Sequence, residues 1–292
     1  MKYTKAPQKN RTEVFEVVIP VKDIKANYKK ALAELKKDAK VEGFRKGKAS
    51  AELVEKSLGK ERIYDEMIQQ LLPEIYKDII TKEKLEPVIA PKVELVEAKE
   101  GKDWKIKMSV ALQPKVTVPD YKKIVKDVRA DMKKDDIWVP GKGDPTKDEE
   151  LDKEAMEKRD KHLNEVLKKL LDKTKIEISD IILEQEINQR LTRLLDDIRK
   201  IGLSMEGYLE SRNTTQEKIK ADFREDILNT YKLEFALSEI GDKEKITVEQ
   251  KEIDDLIEGM PDEESKKQAK QNAYAYGMML RKQKILDFLG SL

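Results

Sequence analysis

The sequence predicts a small α+β domain followed by an all-α domain, in an elongated chain. Three observations carry this. Residues 103–113, "DWKIKMSVALQ", alternate apolar and polar side chains, the period of a half-buried strand. From residue 151 onward the apolar residues recur at helical spacing. Charged residues make up 41% and aromatic residues only 5%, which is lean for one compact core of 292 residues.

The elements follow in order. Residues 13–20, "EVFEVVIP", are β-branched and aromatic, and Pro20 ends them as a strand. Residues 21–40 switch to helical spacing, with Ile24, Tyr28, Ala31, Leu32 and Leu35 on one stripe and lysines opposite. "GFRKGK" interrupts at 43–48. Helix resumes over 49–58 and 61–82, where Pro73 predicts a kink. Residues 88–98 and 103–113 form paired strands around a turn at Gly101, and 13–20 supplies a third. Trp104, Ile106, Met108, Val110 and Leu112 share one face. Residues 1–118 thus read as an antiparallel sheet covered on one face by helices, with a protruding helical hairpin.

Residues 131–150 hold two prolines, two glycines and a charge run, with Trp138 as the aromatic residue. Residues 119–150 therefore read as a linker. Beyond it, residues 151–292 carry apolar stripes at Leu183–Ile198, Ile219–Tyr231 and Met278–Leu289. "TTQE" at 214–217 and "TVEQ" at 247–250 fit capping boxes, and Pro261 can open the last helix.

Several chemistries are excluded. There is no cysteine, so disulfides and thiolate metal sites are absent. His162 is the only histidine and sits in a charged helix, where a solvated role is expected rather than a catalytic or metal-binding one. No carboxylate cluster has the spacing and glycine of a calcium loop. No catalytic residue, metal or cofactor is expected. No apolar run reaches the length of a membrane span or signal peptide, so no membrane partner is expected and the cytoplasm is the expected compartment.

Charge is unevenly spread. Residues 22–48 hold ten Lys/Arg against four acids, a net of +6; residues 201–265 hold eighteen acids against eight bases, a net of −10. Different partners are expected at the two regions. "GFRKGKAS" at 43–50 lies in the basic one. It is no P-loop: three residues separate the glycines instead of four, Ala49 replaces the Ser/Thr, and a helix precedes it. Two readings of the stretch remain. One is a plain solvated turn between helices. The other is a docking tip, in which Arg45, Lys46 and Lys48 contact phosphates and Phe44 enters an apolar or base pocket.

Gly43, Phe44, Arg45, Gly47 and Lys48 resemble the ribosome-docking signature of the trigger factor family, usually G-F-R-x-G-K-x-P. Ser50 stands at the usual proline. "IEISDIILEQEINQRLTRLLDDIRK", "GLSMEGYLE" and "LSEIGDKEKITVEQKEIDDLIE" are similar to the family's helical substrate-binding region. The resemblance covers about residues 1–118 and 151–292. It implies docking through Gly43, Phe44, Arg45, Lys46, Gly47 and Lys48 on the large ribosomal subunit near the exit tunnel, against protein and RNA. It implies ATP-independent shielding of unfolded nascent polypeptides, and allows a homodimer off the ribosome. Client contacts are expected at Met205, Tyr208, Tyr274, Tyr276, Met278 and Met279, where methionines adapt to varied partners. The family's inserted prolyl isomerase domain does not fit into 121–150, so no isomerase activity is expected. The alternative function is a ribosome- or RNA-binding factor that holds no client.

Overall fold

The computed structural model describes residues 2–135 and 148–292. It opens with a hairpin of β1 (Lys2–Lys9) and β2 (Thr12–Ile19). Asn10 and Arg11 make the loop, both at positive φ (47° and 56°). Two such residues match the right-handed twist of the flanking strands. β1 is a strand the sequence pattern does not announce. "KYTKAPQK" has no apolar alternation and contains Pro7. It is an edge strand, where Pro is tolerated. Tertiary contacts hold it there: Tyr3 packs edge-on against Phe15, its hydroxyl donates to Glu83 at 2.8 Å, and Lys5 pairs with the buried Glu13 at 3.0 Å.

Three helices follow: α1 (Val21–Asp38), α2 (Ala51–Leu58) and α3 (Lys60–Glu83). α3 buries Ile63, Met67, Leu71, Ile75 and Ile79, one residue in four, so a single stripe faces the sheet. Pro73 lies on its exposed side, and the helix continues through it. β3 (Lys92–Glu97) and β4 (Trp104–Ala111) complete an antiparallel sheet of order β1-β2-β4-β3. Trp104, Ile106, Met108, Val110 and Leu112 are all buried, as their alternation requires, together with Phe15, Val17 and Ile19. Ile24, Ala31 and Leu32 of α1 and Val54 of α2 close this core from the helix side.

The second part begins earlier than its periodicity suggests. β5 (Lys115–Thr117) is followed by α4 (Tyr121–Asp135), which occupies the first half of the expected linker. The lysine-rich face of α4 hides its stripe: Tyr121, Ile124, Val125 and Val128 are buried against Val166 and Leu170. The remainder of that linker, with Trp138, lies outside the described residues. α5 (Asp148–Lys173) leads to β6 (Lys175–Glu177), which pairs with β5 and interrupts a region expected to be wholly helical. Then come α6 (Asp180–Lys200), α7 (Met205–Ser211), α8 (Gln216–Lys243), α9 (Gln250–Glu258), α10 (Glu263–Gln271) and α11 (Ala273–Ser291).

The caps are displaced from the expected boxes. Thr215, not Thr214, accepts from Lys218 N at 3.3 Å to start α8. Glu249, not Thr247, caps α9, and Glu252 returns to its backbone N–H at 2.9 Å. Pro261 does not open the last helix: Asp262 caps α10, and a break at Asn272 precedes α11, which carries Met278 to Leu289. His162 is buried on α5, not solvated, and its Nε2 finds no hydrogen-bond partner.

The chain divides into two compact units: 1–114 with 177–186, and 115–176 with 187–292. The division departs from the expected 1–118, 119–150 and 151–292. α4 belongs to the second unit through its core contacts with α5 and α8. Residues 177–186 return to the first, where Ser179 accepts a hydrogen bond from Thr12 at 2.8 Å.

Candidate docking tip and apolar groove

Residues 43–48 join α1 to α2 through two consecutive turns. Phe44 N–H donates to the Val41 carbonyl at 3.0 Å, and Lys48 N–H to the Arg45 carbonyl at 2.9 Å. In both turns the third residue is a glycine at positive φ, Gly43 at 81° and Gly47 at 77°. That geometry suits glycine, since a Cβ disfavours it. At Gly47 space decides too: a Cβ would lie 3.2 Å from the Lys37 carbonyl. The second turn therefore packs directly onto the end of α1.

The turns set each side chain. Phe44 is 48% exposed, although Ala49 five residues on is buried. Lys46 bonds to Asp38 at 2.7 Å and ties the tip to the last residue of α1; this holds the Asp38 carboxyl below its usual range. Among the described residues Arg45 and Lys48 form no ion pair, so both cations face solvent. Ser50 accepts from Leu53 N–H at 3.3 Å and caps α2. The side-chain cap does at this position what a proline's fixed φ would do. The tip thus presents one aromatic ring and two unpaired cations from a braced backbone.

The second unit carries a groove between α8 and α11, with a cavity of about 420 Å³. Leu237, Ile285, Met278 and Met279 line it, with Glu234 and Arg281 at its margin. Met278 and Met279 are 46% and 54% exposed. Of the six residues expected to meet clients, the structure brings only these two together there. Tyr274 is exposed on α11 but is not in the lining, and Tyr276 is half-buried. Met205 and Tyr208 are half-buried on α7, Tyr208 beneath the Arg212 guanidinium. Below the groove, Arg281 donates to the Ile246 carbonyl at 2.9 Å and pairs with Asp242, which fixes α11 to the end of α8.

Several exposed apolar residues carry no signal of their exposure in the sequence pattern, among them Leu53, Val88, Leu95, Val96, Ile201 and Leu203. Ile201 and Leu203 flank Gly202 at the end of α6. Leu203 N–H bonds to Ile198 O at 3.1 Å and Gly202 N–H to Arg199 O at 3.0 Å, a Schellman closure. "KIGLS" carries that signal in its glycine. Among the described residues no cluster of three or more acids and histidines could hold a metal, and no helix is long and apolar enough to cross a membrane.

The amino-terminal profile of the bacterial trigger factor protein matches residues 1–138, and the carboxy-terminal profile matches residues 147–290. The chain belongs to the trigger factor family. Only residues 139–146 stand between the two matched regions, so an isomerase domain has no room between them. Trigger factor of Lactococcus lactis subsp. cremoris strain MG1363 is 34% identical over 107 residues, 37% of this chain and 25% of that protein. Trigger factor of Streptococcus pyogenes serotype M1 is 34% identical over 119 residues, 41% and 28% respectively. These matches span well under two thirds of the relatives' lengths. A solved trigger factor chaperone, described for promiscuous substrate recognition in folding and assembly, superposes with a TM-score of 0.70 at 17% identity. It covers 100% of this chain and 99% of its own, so the trigger factor fold is shared end to end.

Proposed function

We propose that this chain is a cytoplasmic, ATP-independent chaperone of the trigger factor type without prolyl isomerase activity. It docks on the large ribosomal subunit beside the exit tunnel and holds emerging polypeptides off one another. The observation that carries the docking is the exposed Phe44 on a braced turn beside unpaired Arg45 and Lys48. A solvated turn gains nothing from an exposed ring, whereas a surface of RNA and protein offers phosphates to the cations and a pocket to the ring. Two phosphate contacts predict a salt slope of about −1.8, or roughly a 12-fold loss of affinity between 50 and 200 mM salt.

Client holding falls to apolar surface that the fold leaves uncovered, foremost the α8–α11 groove with Met278 and Met279. Unbranched thioether side chains repack around different partners at little cost. Binding is passive: contacts to exposed apolar segments are weak singly, and folding of the client withdraws them. Off the ribosome a homodimer would cover the same surfaces.

Co-sedimentation of ribosomes with a Phe44, Arg45 and Lys46 to Ala variant tests the docking; undiminished binding sinks it. Suppression of aggregation of a chemically unfolded protein tests the holding. A chain that sediments with ribosomes yet leaves aggregation unchanged would be an RNA- or ribosome-binding factor instead. A proline-limited refolding assay running at its uncatalysed rate is expected, and clear acceleration would refute the third part of the reading.

A further inference from the structure

The first unit has two sheet edges, and they are not alike. β1 carries Lys2, Lys5 and Pro7, features that discourage pairing with another strand. β3 has no proline, and its inward residues are Val93 and Leu95. It bonds to β4 on one side only, and among the described residues none of its backbone groups bonds outside the sheet. Leu95 and Val96 are 53% and 64% exposed. Beneath this edge, Ile68 and Leu72 of α3, Val93 and Leu95 of β3, and Trp104 and Ile106 of β4 line an apolar cavity of about 150 Å³. An apolar void of about that size takes one benzene-sized group. The core of the first unit is therefore left open along the edge where a fifth strand would lie.

We propose that β3 accepts an extended apolar segment of an unfolded polypeptide as an added antiparallel or parallel strand, with one large side chain filling the cavity. This rests on the chaperone reading above, which supplies such segments. Two features select the occupant. The outward row of backbone N–H and C=O groups is matched only by another extended backbone. The charges around the edge are already neutralised: Lys92 with Glu184 at 3.1 Å, Lys105 with Glu97 at 3.6 Å, Lys107 with Glu94 at 3.8 Å. A charged partner gains nothing there, while an uncharged apolar strand meets no opposing field. The register break between Leu95 and Glu97 limits the added pairing to a few residues, which suits brief capture rather than permanent assembly.

The test uses the full chain and a soluble peptide of about ten residues alternating leucine with threonine. Amide hydrogen exchange is read across residues 92–97, and affinity by fluorescence anisotropy. The expected result is at least about tenfold slower exchange within 92–97 at saturating peptide. Peptides N-methylated at alternate residues, in both possible registers, keep their side chains but lose one edge of donors. One of the two is expected to bind at least about tenfold more weakly. Leu95→Lys is expected to abolish the protection; the methylated peptides give the same information should that variant fold poorly. Equal affinity for both methylated peptides, or protection confined to the second unit, overturns the proposal. So does protection of 92–97 that grows with protein concentration without peptide, which would assign the edge to a second copy. Suppressed aggregation without protection of 92–97 refutes strand addition and leaves the chaperone reading intact. Protection by the peptide without suppressed aggregation supports strand addition and refutes that reading instead.

Discussion

Replacing Phe44 by Ala isolates the apolar part of docking, because the charges stay. A phenylalanine buries on the order of 200 Å² when fully covered. Phe44 is 48% exposed, which leaves about 100 Å² for a partner to cover. At about 25 cal/mol per Å² that is ~2.5 kcal/mol, or roughly a 60-fold rise in Kd. The figure is an upper bound, since binding also costs side-chain freedom. The fold should hold, because Phe44 belongs to neither the core of the first unit nor the shell packed against it. A Tm shift below about 3 °C is expected. Titration of labelled chain onto ribosomes gives the Kd, and a thermal melt gives the control. A Kd within about threefold of the parent's, with an unchanged melt, would show that the ring makes no contact and that only charge docks the tip. The salt slope of the Phe44→Ala variant should equal the parent's, because no phosphate contact is lost.

Three further outcomes follow from the same geometry. Ser50→Ala should cost about 1 kcal/mol through loss of the cap on α2; Ser50→Pro loses the same cap, but Ser50 sits at φ −66°, a value proline adopts unstrained, so about 0.4–1 kcal/mol of reduced unfolded-chain freedom should offset most of the cost, and urea unfolding distinguishes them. Gly43→Ala and Gly47→Ala both place a Cβ at positive φ, at roughly 1 kcal/mol each, but only the second also meets the Lys37 carbonyl, so its melt should fall further and its ribosome affinity with it. Burial, and after it the nearby charge of Arg129, hold His162 below the usual imidazole range. The unfolded chain then takes up the proton more readily, so stability present above pH ~6.5 is lost as pH falls from there through the lower folded value; in His162→Leu this loss below pH ~6.5 should vanish, and an unchanged slope would assign it to other groups.

Much of the first unit was legible because its signals are local. β4 and α3 declare their faces through periods of two and four, and the side chains those periods select are buried, although Ser109 and Ala111 on the other face of β4 are buried too. β1 was not legible: Lys2–Lys9 has no face of its own and becomes a strand only because β2 offers an edge and Asn10-Arg11 turns the chain. α4 was lost for a related reason. Its apolar residues are few among lysines, and it is other helices, through residues such as Val166, Leu170, Leu237 and Ile240, that give them something to cover. The caps slipped by one or two residues because Thr214 and Thr215 are chemically equivalent neighbours, and the helix start between them is decided by the backbone. At the site, glycine spacing announced the tip. The brace could not be read, because Lys46 reaching Asp38 depends on how the two turns fold back.

The two charge regions bear on how one chain can serve two kinds of partner. A net of +6 over residues 22–48 attracts a phosphate surface, and a net of −10 over residues 201–265 is repelled by it. Both effects fade beyond a Debye length of about 8 Å at physiological salt. Charge therefore does not need to hold the second unit anywhere. On the proposed reading it is enough that the acidic region does not compete for the phosphates that Arg45 and Lys48 would contact. Docked as proposed by one small tip, the chain would keep its exposed apolar side chains, Met278 and Met279 among them, open to an emerging polypeptide.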